Sequence, residues 1–510
     1  MCSISGILGN DEKNIKRMIR AQRHRAPDQE GFYTDNYISL GMGRLKIIDL
    51  SSENLCPRQE DEFILIFNGE IYNYIEIRNK LKKKYKFQTN SDTEVLLKAW
   101  KEYGLKIFDH LNGMYAFCIY DKKNKKLYLA RDIAGEKPLY YYYDGKNFIF
   151  SSEFKAIHKV KTLTKQKNFL YDTLQHCLEK TLFKNVYQLP PASYAIYDIK
   201  KGSLKVKEYW GFKYKKIYKK DYLEELDFLL QDSIKIRKRS DVDYGIYLSE
   251  GIDSNLLHSV SKFRNKFFFN DASNWKNDFY KNIPNITYHL DFPVGSLSSY
   301  PLWKLAQKAS KKVKVVISGE GADEIFGGYV RYLPISLQWE LENRFPSYKN
   351  FFKKNYGDYL NIYSRFTTRV NEKNKINRSL VFLEELSKKY FDLFDDPISA
   401  VGYSDFKLIM PSLLQMGDRM ASSFGVENRC PFLDKRIIEF GFNLPSNLKI
   451  NGFSQKVILR QLGLKYGMRD PLFVEKKGLT VKFNKWFNRN DYDRTYYLNL
   501  LDNLWNKKYT

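Results

Sequence analysis

The sequence predicts an α+β domain of β-sheets covered by helices, followed by an α/β domain built on a parallel sheet with a helical C-terminal part. Three observations predict this fold. The chain has 510 residues, more than one hydrophobic core usually serves. Short β-rich runs bounded by Gly, Asp or Asn fill the first 160 or so residues. From residue 222 the order becomes helix, strand, glycine-containing loop and helix, which is typical of parallel sheets.

The first domain contains one well-marked helix among its strands. Ser91 and Glu94 have the spacing of a capping box, and Gly104 ends the helix. A turn at Gly202 leads to Trp210, after which we place the boundary between domains 1–210 and 211–510. The predicted strands are Ile64–Phe67, Tyr115–Tyr120, Lys126–Ala130, Leu139–Tyr143 and Phe148–Phe150.

Two strands of the second domain run into glycine-containing loops. Strand Tyr244–Leu248 follows a predicted helix, Tyr222–Ile236, and strand Val313–Ile317 precedes the second loop. Ligands of open α/β sheets bind beyond the carboxyl ends of the strands, so both loops are candidate binding loops. The stretch Leu333–Pro397 is helical, aromatic and charged in composition and belongs to the predicted helical part.

The net charge of +26 admits two interpretations. A basic surface suits nucleic acid or an anionic membrane, whereas a bias toward Lys, Asn, Tyr and Phe has no such meaning. The basic residues are scattered and form no periodic stripe, which favours the compositional bias. We therefore expect neither a nucleic-acid partner nor a membrane partner.

Cysteine usage and the chain start bear on the compartment. Five widely spaced cysteines without a CxxC pair favour a reducing compartment over a disulfide framework or a zinc site. No signal-peptide pattern is visible, and no apolar run approaches the ~18 residues of a membrane span. A soluble, cytoplasmic protein is expected.

Cys2 directly follows the initiator Met1. Removal of Met1 would leave a thiol and a free α-amine on one residue, and these can act as nucleophile and general base together. The reference pKa of an α-amine is about 8, so this amine is a competent base near neutral pH. The sequence therefore makes Cys2 a candidate nucleophile.

Further motifs follow Cys2 in a fixed order. Together they resemble the glutaminase domain of class II glutamine amidotransferases, in particular that of glutamine-hydrolysing asparagine synthetases. The resemblance implies the αββα sandwich of N-terminal-nucleophile hydrolases. Ala26 stands where that family usually has Gly. The motifs are Arg23–Asp28, Gly43–Asp49, Phe67–Asn73, Ser91–Glu94, Leu111–Phe117 and Ala130–Tyr141.

The same resemblance assigns roles in glutamine hydrolysis, which passes through an oxyanion and a thioester on Cys2. It assigns the oxyanion hole to the Asn68 side chain and the Gly69 backbone N–H, and one such donor typically contributes ~2.7–4 kcal/mol. Arg44 would bind the glutamine α-carboxylate as a bidentate fork. Asp92 and Glu70 would bind its α-ammonium.

The second loop, Ser318–Tyr329, resembles the ATP-dependent domain of the same family. The resemblance implies that Ser318 and Gly319 contact the nucleotide, that Glu320 supports formation of an acyl-adenylate, and that Asp323 binds Mg²⁺. Backbone N–H groups after a strand suit phosphate, and a carboxylate can share Mg²⁺ with pyrophosphate.

The first loop, Leu248–Asn255, resembles the pyrophosphate loop Ser-Gly-Gly-x-Asp-Ser of ATP pyrophosphatases. It implies that Asp253 binds a metal ion and that four other residues of the loop contact ATP. Glu250 replaces the first glycine. Two like charges ~4 Å apart at an effective dielectric constant of ~20 repel by about 4 kcal/mol, so Glu250 opposes ATP unless it points outward or reaches a lysine. The implied ATP contacts are Leu248, Ser249, Gly251 and Ser254.

A second departure lies between the loops. The family has a strand and helix there, part of which contacts adenine, but Phe263–Ile286 is short and its motif is not recognisable. Later motifs restore the resemblance through Gly417–Ala421, Val426–Asp434, Lys476–Leu479 and Trp486. In the family the equivalent of Lys456 stabilises charge on the transferring phosphoryl group.

The sequence thus predicts an enzyme resembling asparagine synthetase, with glutamine, aspartate and MgATP as its small-molecule substrates. Two alternatives stay open. The first is amidation of another carboxylate, such as a uronic acid sugar of a surface polysaccharide or a peptide acid. The second is a live glutaminase beside a degenerate second domain, which Glu250 and the short Phe263–Ile286 stretch favour. Whether the chain forms a homodimer is also left open.

Overall fold

The structure is a computed structural model of the chain. It describes residues 1–51, 56–166, 179–215, 221–269, 275–291, 298–367, 383–469, 500–501 and 503–504. Cys177, Lys476–Leu479 and Trp486 lie outside these residues.

Two antiparallel sheets of six strands each form the first half of the described chain, in the orders β10-β8-β9-β1-β3-β2 and β12-β11-β7-β6-β5-β4. Their strands are β1 Ser3–Leu8, β2 Gln29–Thr34, β3 Ile38–Arg44, β4 Arg58–Glu60, β5 Phe63–Ile71, β6 Gly113–Asp121, β7 Lys126–Arg131, β8 Tyr140–Tyr143, β9 Phe148–Ser151, β10 Val186–Gln188, β11 Ser193–Asp198 and β12 Ser203–Glu208.

The two sheets enclose one hydrophobic core. Ile4 and Leu40 of the first sheet share that core with Ile66 and Phe117 of the second. The helix Glu12–Arg20 packs on the first sheet and the helix Asp92–Tyr103 on the second. The predicted αββα sandwich is therefore confirmed. The remaining helices of this half are Tyr74–Leu81, Phe154–His158 and the 3₁₀ segment Gly104–Asp109.

A parallel sheet in the order β14-β13-β15-β16 organises the second half. Its strands are β13 Tyr244–Leu248, β14 Asn265–Phe268, β15 Val315–Ile317 and β16 Glu427–Arg429, and a separate hairpin joins β17 Ile450–Asn451 to β18 Ser454–Gln455. The helices whose limits lie among the described residues are Tyr222–Arg237, Ile252–Ser261, Trp275–Leu290, Ser299–Ala309, Ala322–Phe326, Leu333–Arg344, Lys349–Tyr356, Tyr359–Thr367, Pro397–Leu408, Met410–Ser422, Lys435–Phe442, Ser446–Lys449 and Val457–Lys465, with 3₁₀ segments Val330–Tyr332, Pro346–Tyr348 and Pro431–Leu433.

The unit that the sequence did not reveal between the two loops is present. Strand β14 pairs in parallel with β13, and the helix Trp275–Leu290 follows it in the chain. The sequence Asn265–Phe268 has no continuous apolar run, so its strand character depends on pairing with β13. The apparent lack of a strand and a helix here therefore no longer favours a degenerate domain.

One of the two hydrogen bonds of the predicted capping box is wrong. The Ser91 side chain does accept a hydrogen bond from the Thr93 N–H at 3.0 Å. The Glu94 carboxylate instead accepts from the N–H groups of Gln88 and Thr89, at 2.9 and 2.7 Å. Glu94 thus holds the preceding loop against its helix.

Buried ion pairs join the two halves. Arg25 forms an ion pair with Asp418 at 2.7 Å, and Glu153 forms one with Arg419 at 3.1 Å. These side chains are almost fully buried, so each charge depends on its partner across the contact. None of the helices that the structure describes is long and apolar enough to cross a membrane.

Candidate active site

Cys2 lies immediately before β1, with its side chain half-buried at the contact between the two halves. Burial raises the pKa of its thiol, while the Leu45 backbone N–H acts in the opposite direction. Met1 is fully buried, and its amine lies 3.9 Å from Glu427 Oε2. Burial lowers the pKa of that amine to about 6. In a chain without Met1, the α-amine would belong to Cys2.

The Asn68 amide is buried on β5 without a hydrogen-bond partner for its nitrogen or oxygen among the described residues. Such a group is costly unless a ligand satisfies it. The next residue, Gly69, has φ of +149°, and a Cβ there would lie 2.0 Å from the Met114 carbonyl oxygen. Only glycine fits, and the pair has the donors that an oxyanion hole requires.

Arg44 ends β3, and its side chain is nearly buried. The guanidinium donates to the Ile48 carbonyl at 3.0 Å, to the Asp49 carbonyl and to Gln29 Oε1 at 3.3 Å. These contacts fix the orientation of a planar cation suited to a carboxylate. Ala26 is buried nearby and does not have a positive φ, so its Cβ introduces no backbone strain.

Asp92 and Glu70 are two buried acidic residues of the first half. Asp92 begins a helix and accepts from the Ile71 N–H at 3.0 Å. Burial raises the pKa of Asp92 to about 6 and that of Glu70 well above its usual range. Burial is the largest cause of the raised pKa of Cys2, Glu70 and Asp92, and the Glu427 carboxylate also contributes to each.

The first loop of the second half begins where β13 ends, at buried Leu248. The Ser249 N–H donates to Ser254 Oγ at 3.1 Å, and the Gly251 N–H donates to Ser249 Oγ at 3.2 Å, so the loop folds on itself. Glu250 is exposed. Its exposure weakens the second observation that favoured a degenerate domain.

Lys456 joins the two loops. Its ammonium donates to both oxygens of Asp253, at 2.7 and 2.6 Å, and lies 2.7 Å from Asp323 Oδ1. Although burial opposes its charge, these two carboxylates raise the pKa of Lys456. The two predicted metal ligands therefore converge on the Lys456 ammonium.

That convergence fits Mg²⁺. Mg²⁺ is commonly held by one or two carboxylates together with substrate phosphates and water. Within the part of the chain that the structure describes, no group of three His, Cys, Asp or Glu residues is placed to hold a metal ion. A metal bound by Asp253 and Asp323 would take its other ligands from substrate phosphates and water.

Ser318 and Gly319 follow β15 and lie against the first loop. The Ser318 N–H donates to the Arg429 carbonyl at 3.0 Å. A Cβ on Gly319 would lie 2.8 Å from Asp253 Cβ and 3.2 Å from the Ser254 nitrogen, so the close approach of the loops requires glycine. The two loops form one continuous surface at the end of the sheet.

Glu320 is held by hydrogen-bond donors on and after β16. Asn428 Nδ2 donates to its Oε2 at 3.0 Å, and the Cys430 thiol donates to the same oxygen at 3.3 Å. Burial raises the pKa of Glu320, and these donors act in the opposite direction. A Cβ on Gly417 would lie 2.9 Å from Glu320 Oε1, so the space for the carboxylate depends on that glycine.

Strand β16 contacts both Glu70 and Glu320, a connection that the sequence did not reveal. Successive side chains of a strand point to opposite faces. Arg429 lies 3.2 Å from Glu70 Oε1 and 2.8 Å from Glu427 Oε1 on one face, whereas Asn428 contacts Glu320 on the other. The sequence identified this strand only as part of the motif Val426–Asp434. The contacts with Glu70 and Glu320 could not be predicted, because those residues lie more than 100 positions away in the chain.

Comparison with known families covers nearly the whole chain. A family model described as "Glutamine amidotransferase domain" matches residues 1–210. A second, described as "Asparagine synthase", matches residues 225–266 and 272–507.

Individual relatives agree with these matches. "Asparagine synthetase [glutamine-hydrolyzing] 1" of Bacillus subtilis is 30% identical over 95% of this chain and 88% of its own length. "Putative asparagine synthetase [glutamine-hydrolyzing] 2" of Methanocaldococcus jannaschii is 35% identical over 65% of this chain and 76% of its own length. "Amidase chry2" of Gibberella zeae is 26% identical over 90% of this chain and 84% of its own length.

Proposed function

Because the chain belongs to the asparagine synthase family and is a glutamine-dependent ligase, we propose that it makes asparagine from aspartate, glutamine and ATP. We assign glutamine hydrolysis to residues 1–210 and ATP-dependent amide formation to residues 211–510. The contacts of β16 carry the proposal. Arg429 contacts Glu70, which is assigned to glutamine binding, and Asn428 contacts Glu320, which is assigned to adenylate formation. One strand therefore joins the two proposed sites.

In the first reaction, Cys2 Sγ attacks the amide carbon of glutamine after its proton passes to the α-amine that Met1 removal exposes. The Asn68 Nδ2 and the Gly69 N–H donate to the oxyanion that forms, which gives the unpartnered Asn68 Nδ2 an acceptor. Arg44 binds the α-carboxylate, and Asp92 with Glu70 binds the α-ammonium. Ammonia leaves, and water hydrolyses the thioester to glutamate.

In the second reaction, a carboxylate oxygen of aspartate attacks the α-phosphorus of ATP and pyrophosphate leaves. Lys456 would neutralise charge on the transferring group. The hydroxyls of Ser249, Ser254 and Ser318 and the Gly319 N–H would donate to the phosphates, and the Gly251 N–H would do so once it leaves Ser249 Oγ. Asp253 and Asp323 would hold Mg²⁺, which neutralises phosphate charge when bound. Ammonia then attacks the acyl carbon of the adenylate, the bond from that carbon to the phosphate oxygen breaks, and AMP leaves.

The test is a product analysis with [¹⁵N-amide]glutamine, ATP and a panel of carboxylic acids that includes aspartate. We expect ¹⁵N-asparagine, glutamate, AMP and pyrophosphate in equal amounts, and none of the asparagine or AMP with Glu320→Gln. Release of AMP with another acid, but not with aspartate, would contradict asparagine formation.

A different acceptor is the second candidate. The relative named an amidase matches 90% of this chain, so a match of this breadth does not specify one acceptor. The panel therefore includes a uronic acid sugar and a peptide with a free side-chain carboxylate. If pyrophosphate exchange into ATP fails with every acid, the ATP-dependent domain is inactive and the proposal is wrong.

A further inference from the structure

Asn428 carries a buried hydrogen-bond acceptor that the proposed reaction has not used. Its side chain is 8% exposed, and its Oδ1 has no partner among the described residues. Its Nδ2 donates to Glu320 Oε2 at 3.0 Å and lies 3.8 Å from Cys430 Sγ. One end of the amide is thus held while the other is open.

The contacts of Nδ2 fix the orientation of the amide. Rotating the group by 180° would place Oδ1 against the Glu320 carboxylate, which accepts hydrogen bonds and cannot donate one when ionised. Oδ1 therefore points away from the carboxylate and requires a donor from elsewhere. Buried acceptors of this kind normally have a partner.

The position of Asn428 indicates what that donor is. Its neighbours Glu427 and Arg429 face the group that contains Cys2 and Glu70, and Asn428 faces Glu320 on the opposite side of β16. Among the side chains of this strand, Asn428 is the one beside the carboxylate assigned to adenylate formation. A donor that is released near Cys2 and used beside Glu320 is ammonia.

We propose that Asn428 Oδ1 and the Glu320 carboxylate together bind the ammonia nucleophile, an inference that rests on the proposed function. Ammonia has three N–H donors and one lone pair. Two N–H groups directed at the two acceptors leave the lone pair for the acyl carbon of the adenylate. The nitrogen–carbon bond forms, the bond from carbon to the phosphate oxygen breaks with release of AMP, and Glu320 takes the one proton that the nitrogen loses as ammonia becomes the amide.

The test measures the KM for ammonia in synthesis driven by ammonium chloride at fixed pH, beside pyrophosphate exchange and glutaminase rate. For Asn428→Ala we expect the KM for ammonia to rise by roughly tenfold or more, because a neutral hydrogen bond to a small ligand is lost. Pyrophosphate exchange should fall by a smaller factor, since Cys430 still donates to Glu320. More glutamate should be released per amide formed.

Asn428→Gln keeps the amide and serves as the matched variant, and it is expected to retain a lower KM for ammonia than Asn428→Ala. The glutaminase rate reports whether each variant is folded. Two results would assign Asn428 to positioning Glu320 alone and overturn the inference. One is an unchanged KM for ammonia, and the other is a pyrophosphate exchange rate that falls by as large a factor as the KM for ammonia rises. Absence of exchange and synthesis in the unsubstituted enzyme would instead overturn the proposed function, and the inference with it.

Discussion

The two reaction sites differ in how their polar groups are satisfied before a ligand binds. At the glutamine site, the Asn68 amide is buried without a partner among the described residues. At the ATP site, the Lys456 ammonium is already paired with Asp253 and Asp323. The first proposed site would thus be organised in advance for an oxyanion, whereas the second would have to exchange internal ion pairs for Mg²⁺ and phosphate. Substitutions should therefore act on the two sites separately and in different ways.

The largest separation is expected from Cys2→Ala. Removal of the nucleophile should reduce glutamine-dependent synthesis and glutamate release to background, because the thiol that is proposed to form the thioester is lost. Ammonia-dependent synthesis should persist, since Glu320, which is assigned to adenylate formation, contacts Asn428 on the other face of β16. Both rates are measured by product mass in parallel assays.

Loss of both activities in Cys2→Ala would contradict separate sites. The intact mass of the unsubstituted protein provides the control, because the proposed base is the Cys2 α-amine. A protein that retains Met1 and still hydrolyses glutamine would disprove that base.

Lys456→Met should act on the ATP site alone. Removal of one preorganised cation from a developing charge typically costs ~10²–10³ in rate, and this loss should appear in pyrophosphate exchange. The glutaminase rate should stay near that of the unsubstituted enzyme. Asp253 and Asp323 would then face each other without the ammonium, so Tm should fall and MgCl₂ should restore it in part. Exchange that stays within twofold would contradict the assigned role.

A smaller, pH-dependent effect is expected at the glutamine site. Burial raises the pKa of Asp92 to about 6, and only its ionised form attracts the glutamine α-ammonium. The KM for glutamine should therefore rise as pH falls through about 6 and be constant well above it. Bound glutamine favours the ionised form, so the transition in kcat should lie at lower pH. A KM that stays flat down to pH 5 would exclude Asp92 as the ammonium partner.

Glu250→Gly should have the smallest effect. Exposed charges contribute about 0–1 kcal/mol, so the KM for ATP should change by no more than about fivefold. A larger fall in the KM for ATP would show that Glu250 faces the phosphates in the complex. Measurement at low and high salt separates screening from direct contact.

Local sequence patterns predicted much of the fold. Strand Tyr244–Leu248 has its predicted limits, because an apolar run ends at a polar, glycine-containing loop. The helix that Gly104 ends was also predicted, since helix termination is a local property. Strand β14 was missed because pairing with β13, not its own composition, makes Asn265–Phe268 a strand.

The site residues were predicted from the family resemblance, not from local sequence patterns. Resemblance supplied residues such as Cys2 and Lys456, and the structure places Lys456 between the two predicted metal ligands. The roles of Asn428 and Arg429 were not predictable, because each depends on a side chain distant in sequence, Glu320 or Glu70. Contacts between domains leave no periodic pattern in a single sequence.

The alternation of side chains along β16 limits how this segment can change its length. Insertion or deletion of a single residue between Val426 and Cys430 would exchange the two faces, turning Arg429 or its replacement toward Glu320 and a polar amide toward Glu70. Both reactions would be lost together, although neither the nucleophile nor the nucleotide loops had been altered. Only insertions or deletions of two residues would keep each side chain on its own face, so the length of this short strand is constrained by both proposed sites.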